Sequence, residues 1–159
     1  TPHQPRSHHD RLADPGPAAE DHGRVVTTTR RAAAFYRQAQ RAVDARQAAM
    51  ALRLAVNADP AFGLAIADLD AVTGTPGEGP TRQQTNWERH HIEVVRTAAT
   101  GNTERASDLL REHLATVGCD PLAVRIAAHL QRPGGHDDDF EDLVGRLPGC
   151  HATPWPCSQ

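Results

Sequence analysis

Small and apolar residues recur at spacings of three and four through the middle of this chain, and Asp-Pro pairs at 59–60 and 120–121 cut that pattern into short pieces. Proline disfavours helix at the residue before it and suits the first helical turn, so each pair ends one helix and starts another. The chain is thereby restricted to short helices joined by tight turns. After the Thr27–Thr29 run, good helix formers continue to about Val43, and Asp44 caps the next segment. Four stripes follow: Ala45, Ala48, Ala49, Leu52, Ala55 and Val56; then Phe62, Ala65, Ile66, Leu69 and Val72; then Trp87, His91, Ile92, Val95, Ala98 and Ala99; then Ala106, Leu109, Leu110, His113, Leu114 and Val117. "LAVRIAAHLQ" adds one helix before "RPGG", and "DDFEDLVGRL" a last short one. No segment alternates with period two over strand length. Aromatic residues are 4% of the chain, so the helices pack mainly through Ala, Leu and Val. The expected fold class is all-α, built of antiparallel helical hairpins.

A length of 159 residues fits one domain, and an apolar content of 38% is low enough to leave part of the chain outside the core. The Pro-, His- and Asp-rich start lacks apolar periodicity, as does "LPGCHATPWPCSQ". Segments like these bury too little apolar surface to offset about 1–2 kcal/mol of backbone entropy per ordered residue. Residues 1–26 and 147–159 are therefore expected to be disordered tails around a helical domain at 27–146. Within it, "TGTPGEGPTRQQ" at 73–84 reads as a flexible loop.

A net charge of −3 argues against a general nucleic-acid binder. All 17 basic residues are Arg, which together with abundant Ala and Gly fits a GC-rich genome and carries no site inference. No run of 18 apolar residues exists, and no basic start leads into an apolar core. With three cysteines, Cys119, Cys150 and Cys157, the expectation is a reducing, cytoplasmic setting.

The chemistry-bearing candidates centre on "TNWERHHIEVV". Glu88 precedes His91 by three residues and His90 precedes Glu93 by three, so each pair shares a helix face. His90 and His91 point about 100° apart and cannot chelate one ion together from a helix. A di-iron bundle needs a second Glu-x-x-His on another helix, and the chain has none. His91 falls in the apolar stripe and reads as a packed histidine, within reach of His113 across the hairpin, while His90 turns outward. Arg89 and Glu93 are spaced for an i,i+4 pair. Cys150, His151 and Cys157 match no closed zinc set. His136 with Asp137, Asp138 and Asp139 lacks calcium-loop spacing and reads as a charged helix start. No nucleophile elbow or phosphate-binding glycine loop occurs. The expectation is no catalytic residue, no metal and no cofactor.

The helix pairs are about 34 residues long and closed by Pro, and their register can be tested against known repeats. Ala48, Leu52 and Ala55 before Pro60 fall where a tetratricopeptide repeat keeps small, large and small residues in its second helix, with Phe35 at a large position of the first helix. Ala106, Leu110 and His113 fall at the same places in a second unit starting at Trp87. The order "AVNADPAFGLAIADL", Gly/Pro loop, "WERHHIEVVRTAATGNTERASDLLREHLATVGCDPLAVRIAAHL" resembles the bacterial tetratricopeptide repeat protein 38-like family over residues 31–130. After Leu130 the chain departs from the usual continuation into further helix pairs.

That resemblance implies a short α-solenoid acting as a protein-interaction scaffold without catalysis. Its groove lining would include Arg30, Ala33, Arg37 and Gln40, with Glu88, His91 and Val95 from the second unit. Arg30, Arg37 and Arg41 share one side of a helix and suit an acidic protein or peptide partner. The alternatives are a His-rich metal-dependent enzyme centred on Glu88, His90, His91 and His113, or an inactive fragment of a larger repeat protein. A solenoid this short exposes apolar ends, so self-association or capping by its last helices is expected.

Overall fold

The computed structural model describes residues 17–21, 23–75, 83–130 and 154–156. Six helices hold 69% of them: α1 (Arg30–Gln40), α2 (Ala45–Ala58), α3 (Gly63–Thr73), α4 (Asn86–Ala99), α5 (Thr103–Val117) and α6 (Pro121–Leu130). The expected all-α class is what forms. Helix starts follow local side-chain chemistry. Thr29, Asp44 and Asn102 each accept a hydrogen bond from the backbone three residues on. Thr85 and Glu88 form a reciprocal capping box at α4. Gly101, at φ 86°, takes the left-handed conformation that lets the chain reverse between α4 and α5.

Two apolar clusters make the core. The first joins α1, α2 and α3 to Trp87, Ile92 and Val95 of α4 and to Leu122 and Ile126 of α6. The second joins Val94 and Ala98 of α4 to Ala106, Leu109, Leu110 and Leu114 of α5 and to Ala123, Val124, Ala127 and Ala128 of α6. Thus α4 and α6 each present one side to either cluster and form the shared wall between them. Alanines at the contacts let helix axes approach closely. The repeat-register positions Ala48, Leu52, Ala55, Ala106 and Leu110 are all fully buried.

Two expected stripes shift. In α1 the fully buried aromatic is Tyr36, while Phe35 is only partly covered. In α3, Leu64, Ala65, Asp68 and Ala71 are buried, and Ile66, Leu69 and Val72 are only partly covered. This helix packs against α2, α4 and α6, so more than one side needs apolar cover and no single stripe describes it.

The expected tails are also revised where the structure describes them. Residues Ala19–Asp21 and Arg24–Val26 form an antiparallel two-stranded hairpin, pairing Ala19 with Val26, Glu20 with Val25 and Asp21 with Arg24. Strand propensity did not show this, because the hairpin is held from outside itself. Gln40 Nε2 donates to Asp21 Oδ2 at 2.9 Å, Arg37 to Glu20 O at 3.2 Å, and Trp87 Nε1 to Val25 O at 3.0 Å. The Arg24 guanidinium lies 4.4 Å above the Trp87 ring. Near the other end, Trp155 is buried in the first cluster and donates from Nε1 to Ala42 O at 3.2 Å. Hairpin and Trp155 together cover apolar surface that the helices alone would expose. The expected loop at 73–84 closes α3 at Gly74 and reopens as the cap of α4, with 76–82 outside the described residues. The expected helix in "DDFEDLVGRL", residues 138–147, also lies outside them.

Cys119 is disulfide-bonded. Disulfides persist in oxidising compartments, so the redox state of Cys119 tests the reducing setting expected from the cysteine count. Alkylation of native protein without reductant is expected to leave Cys119 unmodified and, after reduction, to label it fully; labelling without reductant, read by mass spectrometry, would support the reducing assignment.

Candidate functional site

Five elements converge on one hydrogen-bonded chain of buried side chains. Tyr36 comes from α1, Asp68 from α3, His91 from α4 and His113 from α5; Asp120 stands immediately before α6. The Tyr36 hydroxyl donates to Asp68 Oδ2 at 2.6 Å. His91 bridges two carboxylates, with Nε2 2.6 Å from Asp68 Oδ1 and Nδ1 2.6 Å from Asp120 Oδ2. His113 Nε2 reaches the same Asp120 Oδ2 at 2.7 Å. Ionised carboxylates only accept, so both nitrogens of His91 and Nε2 of His113 carry protons.

The electrostatics follow from burial and pairing. Burial alone would drive the His91 imidazolium toward neutrality, but Asp120 and Asp68 on either side outweigh it and lift its pKa to about 10. Asp120 is held well below the usual carboxylate range: burial opposes this, and His91 and His113 overcome it. Asp68 is raised because burial outweighs its bonds to His91 and Tyr36. Burial and the neighbouring Asp68 carboxylate push the Tyr36 hydroxyl well above its ordinary range. His91 is thus an imidazolium sealed between two carboxylates.

A second set of buried acceptors ties the start of the domain to its middle. The Glu88 carboxylate accepts from Thr27 N at 3.2 Å and Thr27 Oγ1 at 3.1 Å, and from Thr85 N at 2.9 Å. Asp59 accepts from the Thr28 hydroxyl at 2.6 Å. Both aspartates of the Asp-Pro pairs are therefore buried acceptors as well as helix punctuation.

The residues expected to line a groove are divided by this arrangement. Glu88 and His91 are fully buried and Gln40 nearly so, each with partners inside the fold. The β-hairpin lies against α1, and Arg37 is engaged by it. Arg30 and Arg41 remain exposed. A partner therefore has no access to Glu88, His91 or Gln40, because the chain's own first residues and neighbouring helices cover them. The His91–His113 contact read from the hairpin register is present, with ring centroids 6.1 Å apart. Arg89, spaced for a pair with Glu93, instead hydrogen-bonds Gln84 O and Asn86 Oδ1 at its own helix start.

Tyr36, Asp68 and Asp120 were not among the expected site residues. Asp68 lay outside the apolar stripe read for α3, and Asp120 was read only as punctuation. A signal did exist: Asp68 lies between Ala67 and Leu69 in a mostly apolar helix, where a buried acid needs a partner.

His91, His113 and Asp120 each bring one donor atom within 4.8 Å of the others. Tetrahedral zinc with nitrogen ligands at about 2.0–2.1 Å holds its donors about 3.3 Å apart. The 2.6 and 2.7 Å separations here are those of hydrogen bonds. The cluster is a proton-linked strut. Tyr36, Asp68, His91 and Asp120 are buried within it, and His113 stands at its edge. Beside it, between α4 and α5, a cleft of about 240 Å³ is lined by His90, Glu93, Arg105, Leu109, Glu112, His113 and Thr116.

Comparison with protein-family models, curated proteins and solved structures finds no match to this chain.

Proposed function

We propose that this chain is a helical-hairpin interaction module of tetratricopeptide-like type, without catalytic activity of its own, whose contact surface is the outer face of α2. The buried register positions in both hairpins and the resemblance of residues 31–130 to the tetratricopeptide repeat protein 38-like family support the module reading. The surface itself carries the functional part. Of the large apolar side chains exposed among the described residues, Val25, Val43, Met50 and Leu54, the last two, at 59% and 45%, share α2. Arg46, Met50, Arg53 and Asn57, spaced four, three and four, lie on one side of α2 with Leu54 beside them. Neither α1 nor α2 contains an Asp or Glu, while together they carry Arg30, Arg31, Arg37, Arg46 and Arg53.

An apolar pair framed by arginines suits an amphipathic acidic segment, whose apolar side covers Met50 and Leu54 while its carboxylates meet the guanidinium groups. The acidic partner expected from sequence is kept, and its place moves from the inner side of α1 to α2. No helix of the described residues is long and apolar enough to cross a membrane. The cytoplasmic placement expected from sequence is tested by the redox state of Cys119.

Peptide display against the purified chain tests this. Selected peptides are expected to be acidic and amphipathic. Covering either apolar side chain contributes about 1.5–3 kcal/mol, so Met50→Glu with Leu54→Glu should weaken binding more than about tenfold. Glu104→Ala, on the exposed side of α5, should leave it unchanged. Peptides without acidic bias, or full binding by the double variant, would overturn the proposal.

A further inference from the structure

The sealed network leaves one atom unaccounted for. His113 is buried, its Nε2–H is committed to Asp120, and its Nδ1 has no hydrogen-bond partner. In the tautomer that donates from Nε2 to Asp120, Nδ1 presents a lone pair. A buried imidazole that donates one nitrogen to a carboxylate and offers the other as a bare lone pair has the arrangement of a metal-ligating histidine with its outer-shell acid.

His113 also lines the cleft between α4 and α5, and the residues around it are donors of matching chemistry. His90 and Glu93 enter from α4, spaced three apart on one face, and Glu112 borders the cleft from α5. The His90 and His113 rings are perpendicular, with centroids 6.3 Å apart. Arg105 is the one permanent cation of the lining, against the carboxylates of Glu93 and Glu112. The Asp120 carboxylate behind His113 adds negative charge on the protein side.

We propose that this cleft is a divalent transition-metal site of the zinc class, with His113 Nδ1, the His90 imidazole and the Glu93 carboxylate as its ligands. Two nitrogens and one oxygen are the donor set that borderline cations such as Zn²⁺ prefer over Mg²⁺ or Ca²⁺. His113 is the fixed ligand, held by Asp120. His90 and Glu93 are exposed and close the site by turning toward it. The three ligands leave a fourth position open at the mouth of the cleft, so the bound ion would be reachable from solvent. The site is separate from the α2 surface and does not depend on its having a partner.

The test is titration of the metal-stripped full chain with Co²⁺, read by the visible bands of tetrahedral cobalt, and with Zn²⁺ in competition with a chromophoric chelator. One equivalent should bind with tetrahedral absorption. Losing an outer-shell partner alone costs about 10–100-fold in metal affinity, so losing a ligand in His90→Ala or Glu93→Ala should cost more than about a hundredfold. Both positions are exposed, and circular dichroism should show both variants folded. His3, His8 and His9 together changed to Ala should leave the site intact. Absence of saturable binding, binding unaffected by His90→Ala, or binding lost in the triple N-terminal variant would each overturn the assignment.

Discussion

Replacing Asp120 with Ala is expected to destabilise the protein by about 3–5 kcal/mol, the range for removing one partner of a buried charge network. The single carboxylate oxygen Oδ2 accepts from His91 at 2.6 Å and from His113 at 2.7 Å, and all three residues are buried. Its removal leaves the His91 imidazolium with Asp68 alone and strands the His113 Nε2–H without an acceptor. The other oxygen, 3.5 Å from Ala123 N, also sits at the start of α6. Asp120→Asn preserves shape and one acceptor but no charge, and should fall between wild type and Ala. Urea unfolding at neutral pH measures this as a fall in midpoint at unchanged slope. A loss under about 1 kcal/mol for Asp120→Ala, the size of an ordinary neutral hydrogen bond, would show that the network is not ionised.

The second large effect is an alkaline loss of stability. His91 keeps its proton in the fold up to a pKa of about 10, against 6.5 when unpaired. Below the unfolded value both states hold the proton and the stabilisation is complete. Above it only the unfolded chain has released the proton, so the native state weakens by about 1.4 kcal/mol per pH unit until the folded value is reached. Integrated over that window, the loss is on the order of 4–5 kcal/mol. Tyr36 acts with the same sign at higher pH, since its raised pKa keeps it neutral in the fold after the unfolded chain ionises. At the acid end two aspartates oppose each other. Asp120, depressed, withdraws stability as pH falls through its folded value, whereas Asp68, raised by burial, takes up its proton earlier in the fold than in the unfolded chain. The alkaline limb is therefore the diagnostic one. Unfolding free energy measured from pH 6 to 10 should decline, and His91→Phe should flatten the curve. Nitrogen-15 spectra at pH 8 should show both ring nitrogens of His91 protonated; a ring titrating near its ordinary value would refute the prediction.

How much of this was legible beforehand differs by element. Thr29 and Asp44 were read as caps because they act within three residues of themselves; Thr85 and Asn102, read only as a helix start and a break, cap by the same local chemistry. The stripes of α2 and α5 were legible for a similar reason, since each of these helices has one buried side; the α4 stripe was read in part, missing Val94 and including the exposed Ala99, because that helix is shared between two clusters. The α3 stripe was not, because a helix packed on several sides has no amphipathic period to read. The hairpin at 19–26 and Trp155 escaped because their order comes from partners 17 to 113 residues away, such as Arg37, Gln40, Trp87 and Ala42. Among candidate site residues, His91 and His113 were recognised as packed histidines that could meet. Their common carboxylate was not, because an Asp before Pro already has a sufficient local explanation.

The sequence by itself therefore determined the class: short helices, their starts and breaks, Ala-rich packing and the placement of His91 and His113 on inward faces. These are consequences of backbone sterics and of periods within one helix, which need no knowledge of neighbours. Tertiary structure alone decided which polar groups are buried together and which surface stays open. It brought Tyr36, Asp68, His91, Asp120 and His113 into one chain of hydrogen bonds. It also covered the inner side of α1 with the N-terminal hairpin, leaving the outer face of α2 and the His90–His113 cleft accessible. The physical reason is that charge pairing and solvent exposure are properties of distance in space, and five separate segments had to meet before either was defined.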